Sequence, residues 1–132
     1  MTLNEYQKQA MTTCMPSSEN FSYMFLNLVG EVGEFASKVA KAIRKDKMQV
    51  GGDYTYEINQ LRDTYGADED EIGSIYDGLE KEAGDILWQL SGLCTIMGWS
   101  LEDVGQTNLD KLQARKQAGT IVGNGDGIIR DK

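Results

Sequence analysis

Two stretches decide the fold: LVGEVGEFASKVAKAIRK, Leu28–Lys45, and KEAGDILWQLSGL, Lys81–Leu93. In both, apolar residues recur at three- and four-residue steps, the period of a helix with one buried face. Stepping about 100° per residue, Leu28, Val32, Phe35, Val39 and Ala42 share one arc of the first helix. Leu79, Ala83, Ile86, Leu90, Leu93 and Met97 share one arc of the second. Glu31 and Glu82 fall on the edges of these arcs, and Glu34 and Asp85 just outside the same edges. If the two stripes pack antiparallel, four carboxylates line a common cleft at the border of the core.

Outward from this pair, the chain reads as four helices. Thr2 with Glu5 forms a capping box for a helix from about Leu3 to Cys14. Met15-Pro16-Ser17-Ser18 breaks it and offers a new N-cap. The second helix runs from about Glu19 to Lys45 and ends in a basic turn, which suits the negative end of the helix dipole. A third runs from about Ile75 to Met97 and stops at Gly98. Ser100 with Asp103 caps a fourth from about Leu101 to Ala118, which Gly119 ends. The predicted fold is all-α, an antiparallel four-helix-type bundle in a single domain over residues 1–132. An insertion occupies 46–74, with turn chemistry at Val50–Asp53, a short extended piece at Tyr54–Tyr56, a short helix at Glu57–Tyr65 and a solvated acidic run at Asp68–Glu71. The tail, 119–132, is glycine-rich and irregular.

Composition narrows the chemistry. With 13 Lys+Arg against 21 Asp+Glu, the net charge is -8, the wrong sign for gripping a nucleic-acid backbone. The chain has no histidine, which removes Ser-His-Asp and Cys-His catalysis and most zinc sites. No apolar run is long enough to span a bilayer, and the polar start is not a secretory signal. Cys14 and Cys94 make no disulfide framework, so a reduced cytoplasm is expected, the host's if the protein is viral.

Acid pairs at i,i+3 are common in so acidic a chain: Glu31/Glu34, Asp68/Glu71, Asp77/Glu80 and Glu82/Asp85. A solvated helix face is their ordinary use, and helical phase is what sets the first and last pairs apart. Four half-buried carboxylates must be protonated or neutralised by cations. With oxygen ligands alone, the fitting cation is hard, Mg²⁺ or Mn²⁺. Lys38 continues the Glu31 face, and Asn108, Lys111 and Arg115 share one face of the fourth helix. An amide and several cations beside a carboxylate-held metal suit a polyphosphate, although surface solubility is the plainer use of each cation.

Other positions have blander readings. Trp88 lies opposite the core stripe and suits an oligomer contact better than a base-stacking platform. Trp99 packs at a helix corner, Cys94 fills core, and Asn20 caps the second helix. Met11, Met15 and Met24 are read as core filling before any base pocket.

The Leu28–Lys45 and Lys81–Leu93 stretches, with NLDKLQARKQAGTIVGNGD at Asn108–Asp126, resemble the MazG-like nucleotide pyrophosphohydrolases, all-α NTP pyrophosphatases. NEYQKQA, Asn4–Ala10, is similar to the opening of phage-type members. The resemblance spans most of the chain except 46–74. It implies hydrolysis of a nucleoside triphosphate between its α and β phosphorus atoms, in control or sanitation of a nucleotide pool, including a purine dNTP such as dGTP. By motif, Glu31, Glu34, Glu82 and Asp85 hold Mg²⁺ or Mn²⁺, and Asn108, Lys111 and Arg115 contact the nucleotide. Lys38 joins them on helical phase alone. The resemblance also implies a homodimer or homotetramer with sites completed between subunits. Many members carry a second Glu where this chain has Gly30, which leaves the water-activating group to the four acids or the metal itself. Two other classes stay open: a non-catalytic helical interaction module, which Gly30 favours, and a phosphohydrolase releasing inorganic phosphate.

Overall fold

The computed structural model describes residues 1–48 and 69–119, and only the backbone of 69–74. Helices α1 (Leu3–Met11), α2 (Phe21–Arg44), α3 (Glu69–Ile96) and α4 (Leu101–Gln117) make up the described chain, with a single 3₁₀ turn at Pro16–Ser18. Among the described residues there is no strand, so the all-α reading holds. The expected turn at 50–53, the pieces at 54–56 and 57–65 and the tail from 120 onward lie outside the described residues.

The caps follow the sequence closely. The Thr2 hydroxyl accepts from the Glu5 N–H at 3.0 Å while the Glu5 carboxylate accepts from the Thr2 N–H at 2.7 Å. The Asn20 side chain accepts from the Tyr23 N–H at 2.8 Å, so α2 starts at Phe21 and not at Glu19, where a cap at Ser18 would start it. α1 ends at Met11 rather than Cys14, because the Thr12 and Thr13 hydroxyls donate back to the carbonyls of Gln9 and Ala10. Gly98, at φ +76°, lets the Trp99 N–H donate to the Cys94 carbonyl and closes α3. Ser100 then caps α4 by accepting from the Asp103 N–H at 3.0 Å. α3 begins at Glu69, six residues before the expected start. Glu69–Ser74 thus belong to the helix and not to an insertion, and acidic residues in a first turn suit the positive end of its dipole.

α2 and α3 are the main packed pair and run antiparallel. Met24 lies against Gly92, Glu31 faces Glu82 and Asp85, and Ala42 clusters with Leu79 beside Phe35, Val39 and Ile75. The inward stripe of α2 is Met24, Leu28, Glu31, Phe35, Val39 and Ala42. That of α3 is Ile75, Leu79, Glu82, Ile86, Gln89 and Leu93. Both repeat at three- and four-residue steps, strictly alternating in α3, the seam of two helices packed side by side. Both are turned by only a fraction of a position from the sequence expectation, since Leu28, Phe35, Val39 and Ala42 stay on the α2 stripe and Leu79, Ile86 and Leu93 on that of α3. Val32, Ala83 and Met97 face out, and Glu31 and Glu82 lie within the stripes instead of on their edges. Burying Ala83 would remove little apolar area from water, so the turn costs little there. Gly92 lies against the Met24 thioether, and a Cβ there would overlap the Met24 sulfur, so a larger residue requires the Met24 side chain to shift.

α1 is held across the C-terminal half of α3. The Trp88 indole N–H donates to the Ala10 carbonyl at 3.1 Å and lies 2.9 Å from the Thr13 hydroxyl. Trp88 is therefore a contact within the chain, where an oligomer contact was expected. Gln7 ties three elements together. Its amide donates to the Thr95 hydroxyl and the Trp99 carbonyl, both at 3.0 Å, and its oxygen accepts from the Leu101 N–H at 2.8 Å, the first free donor of α4. Trp99 holds the corner through that carbonyl while its ring stays half exposed, so the corner is packed by Gln7 and not by the indole. Asn4 adds a pair of bonds to Glu102, and α4 leans on α1 through this end. Replacing Gln7 with Leu leaves the Trp99 carbonyl and Leu101 N–H without their partner. It is expected to cost about 2–3 kcal/mol of stability, read by urea unfolding; a loss under about 0.5 kcal/mol would show that α1 is held otherwise.

Candidate metal centre

Three carboxylates converge across the α2–α3 seam. Oxygens of Glu31, Glu82 and Asp85 all lie within 4.8 Å of one another. Each comes from its place on a helix. Glu31 follows Leu28 by three and precedes Phe35 by four, so the seam turns it inward. Glu82 sits between Leu79 and Ile86 in the same way. Asp85, one turn on, reaches back from the exposed rim. Glu34 occupies the matching rim position on α2 and is exposed. It falls outside the group of three, while its charge still acts on Glu31.

Like charges at this distance leave a signature. Partial burial first, then the carboxylates of Asp85, Glu82 and Glu34, push the Glu31 carboxyl above the usual glutamate range. A cation already answers part of this charge. The Lys38 ammonium lies 2.7 Å from a Glu82 oxygen, with the Lys38 side chain 47% exposed and that of Glu82 12%. The hydrogen bond to Glu82, helped by the charges of Glu82, Glu34 and Asp85, holds the Lys38 ammonium above the ordinary lysine range against some desolvation. On the α1 side, burial and the Asp85 charge push the Tyr6 hydroxyl up, so Tyr6 is within electrostatic reach of the acids. No spacing in the sequence marked it.

The donor set fits a hard divalent ion. Around one Mg²⁺ with oxygens at about 2.1 Å, adjacent ligand oxygens lie about 3 Å apart and opposite ones about 4.2 Å, so the trio would draw together to share an ion. One turn away, Phe35, Tyr76, Leu79, Glu80 and Ala83 line an apolar groove of about 220 Å³. On α4, Asn108 is exposed and Lys111 and Arg115 are half-buried, and the helix takes its main support from α1 rather than from the α2–α3 pair. Leu109 and Leu112 of the same helix are exposed.

The arrangement is a cluster of three acids on a helix pair of an all-α fold, a group that could hold a metal ion. The MazG nucleotide pyrophosphohydrolase domain model matches residues 19–120, and the chain belongs to that family. It is similar to the Gene 37 protein of Mycobacterium phage L5, 38% identical over 110 residues, which are 83% of this chain and 78% of that one. No solved structure matches the chain. Among the described residues, no helix is long and apolar enough to cross a membrane.

The raised Glu31 carboxyl makes a sign-definite prediction. An acid whose folded pKa exceeds its unfolded value binds its proton more tightly when folded. Its stabilising contribution is complete below the unfolded pKa and is lost as pH rises through the folded one. In EDTA, Glu31→Gln is therefore expected to melt higher than the native chain at neutral pH, with the gap closing as pH falls through the glutamate range. A gap that is absent, or of opposite sign, in thermal melts at pH 4 to 8 would remove the repulsion.

Proposed function

We propose that the chain hydrolyses a nucleoside triphosphate between the α and β phosphorus atoms, releasing the nucleoside monophosphate and pyrophosphate. The observation that carries this reading is the convergence of Glu31, Glu82 and Asp85 from two helices in a chain of this family. These three, with Glu34 on the rim, hold Mg²⁺ or Mn²⁺. A divalent ion held there supplies the positive charge that lets a triphosphate approach a protein of net charge -8, and lowers the pKa of a nearby water.

The chain's own residues do the rest. The acids fix the ion and orient the attacking water in line with the scissile bond. Lys38, Lys111 and Arg115 neutralise the departing pyrophosphate, and Asn108 hydrogen-bonds the nucleotide. The apolar groove beside the acids, with Phe35 and Tyr76, gives the nucleoside a face to rest on. The reading extends to control or sanitation of a nucleotide pool, with a purine dNTP such as dGTP among the substrates to test. Incubating the purified chain with each NTP and dNTP and Mg²⁺ or Mn²⁺ is expected to yield pyrophosphate. Release of inorganic phosphate, or of nothing, would replace this reading with one of the two other classes. Glu34→Gln and Asp85→Asn are expected to stay folded while turnover falls by at least about a hundredfold; native turnover in either removes that residue from the site.

The site is completed in a homodimer or a tetramer of dimers. The outer face of α2 presents Phe21, Phe25, Leu26, Val29 and Val32, all but Phe25 at least half exposed. A contiguous apolar face of this kind is covered in a soluble protein. Val29→Glu is expected to shift sedimentation from dimer to monomer; a native chain that sediments as a monomer at micromolar concentration contradicts the assembly.

A further inference from the structure

Lys38 holds the carboxylate that a divalent ion would need. Its ammonium is 2.7 Å from Glu82, the best covered of the acids, while its own stem is half exposed. Position explains the contact. Lys38 lies seven residues after Glu31 on α2, and helical side chains lean toward the helix N-terminus, which carries the ammonium back over the acids. A monovalent and a divalent cation on one carboxylate repel each other at short range. The lysine stem is the part free to move, since Glu82 is fixed between Leu79 and Ile86 and Lys38 ends at solvent.

We infer that Lys38 is an exchangeable counter-cation: it neutralises Glu82 in the ion-free protein and is released from it when a divalent ion binds. This rests on the reading of Glu31, Glu82 and Asp85 as metal ligands. Before ion binding, Lys38 keeps the acidic seam from splaying. After release its charge is available to a polyphosphate on the same face, so the site gains a second cation only once the first is in place.

Mn²⁺ binding without nucleotide, followed by calorimetry and by loss of the free Mn²⁺ signal in electron paramagnetic resonance, tests this. Lys38→Met keeps the stem and removes the competitor. It is expected to bind Mn²⁺ about fivefold tighter than the native chain, the scale of one partly exposed ion pair. It should also melt lower in EDTA, while Lys38→Arg stays near native in both. Native or weaker Mn²⁺ affinity in Lys38→Met, with Glu82→Gln abolishing binding, overturns the exchange and leaves the metal site standing. A folded native chain that binds no Mn²⁺ overturns both. A readout independent of whether Lys38→Met folds is the ¹³C signal of reductively methylated Lys38, assigned by its loss in Lys38→Arg. Diamagnetic Mg²⁺ is expected to move it to the position of solvent-exposed lysines, and a signal that stays put overturns the exchange.

Discussion

The seam between α2 and α3 sets like charges against each other. Glu31 and Glu82 occupy positions that a simple coiled pair would give to Leu or Ile, and Asp85 stands at their rim. Two helices whose inner faces are otherwise apolar except for the buried Gln89 are thereby kept from closing as a dry core along their middle third. What the seam loses in hydrophobic burial it recovers only through a cation. Lys38 provides one such cation from within, and the oxygen-only donor set invites a stronger one from without.

Packing at both ends of the same helix pair holds the acidic seam in register. Above it, Met24 and Gly92 approach closely enough to fix the axial position of α2 against α3. Below it, Ala42, Met48 and Leu79 form a small apolar cluster. The acids are thus bracketed by packing on both sides, so they meet without needing to attract each other. α1 works at one remove: Trp88 and Gln7 fasten it to α3 and to the start of α4, which brings Tyr6 near Asp85 and sets the direction in which α4 leaves.

Much of this was legible in the residues. The four helices, the caps at Thr2 and Ser100 and the stop at Gly98 follow from local chemistry, which acts within a turn and shows itself in sequence. The pairing of Glu31 with Glu82 and Asp85 followed from helical phase. The finer rotation did not, because the choice between Val32 and Glu31 on the α2 stripe is set by how α2 meets α3, a contact distant in sequence. Contacts distant in sequence were opaque. Gln7 looked like any polar residue of a surface helix, yet its bonds reach Thr95, Trp99 and Leu101. Trp88 looked spare for a partner subunit because α1 was not known to cover it. The early start of α3 was missed because a run of acids resembles a solvated loop until the helix dipole is considered.

Whether the acidic seam is a metal centre is most directly tested by diffraction from crystals grown with Mn²⁺, measured at the manganese absorption edge. The expected result is an anomalous peak between Glu31, Glu82 and Asp85, with the Lys38 ammonium displaced from Glu82. Manganese bound elsewhere, with Lys38 still seated on Glu82 and the three carboxylates ligand-free, would contradict the account.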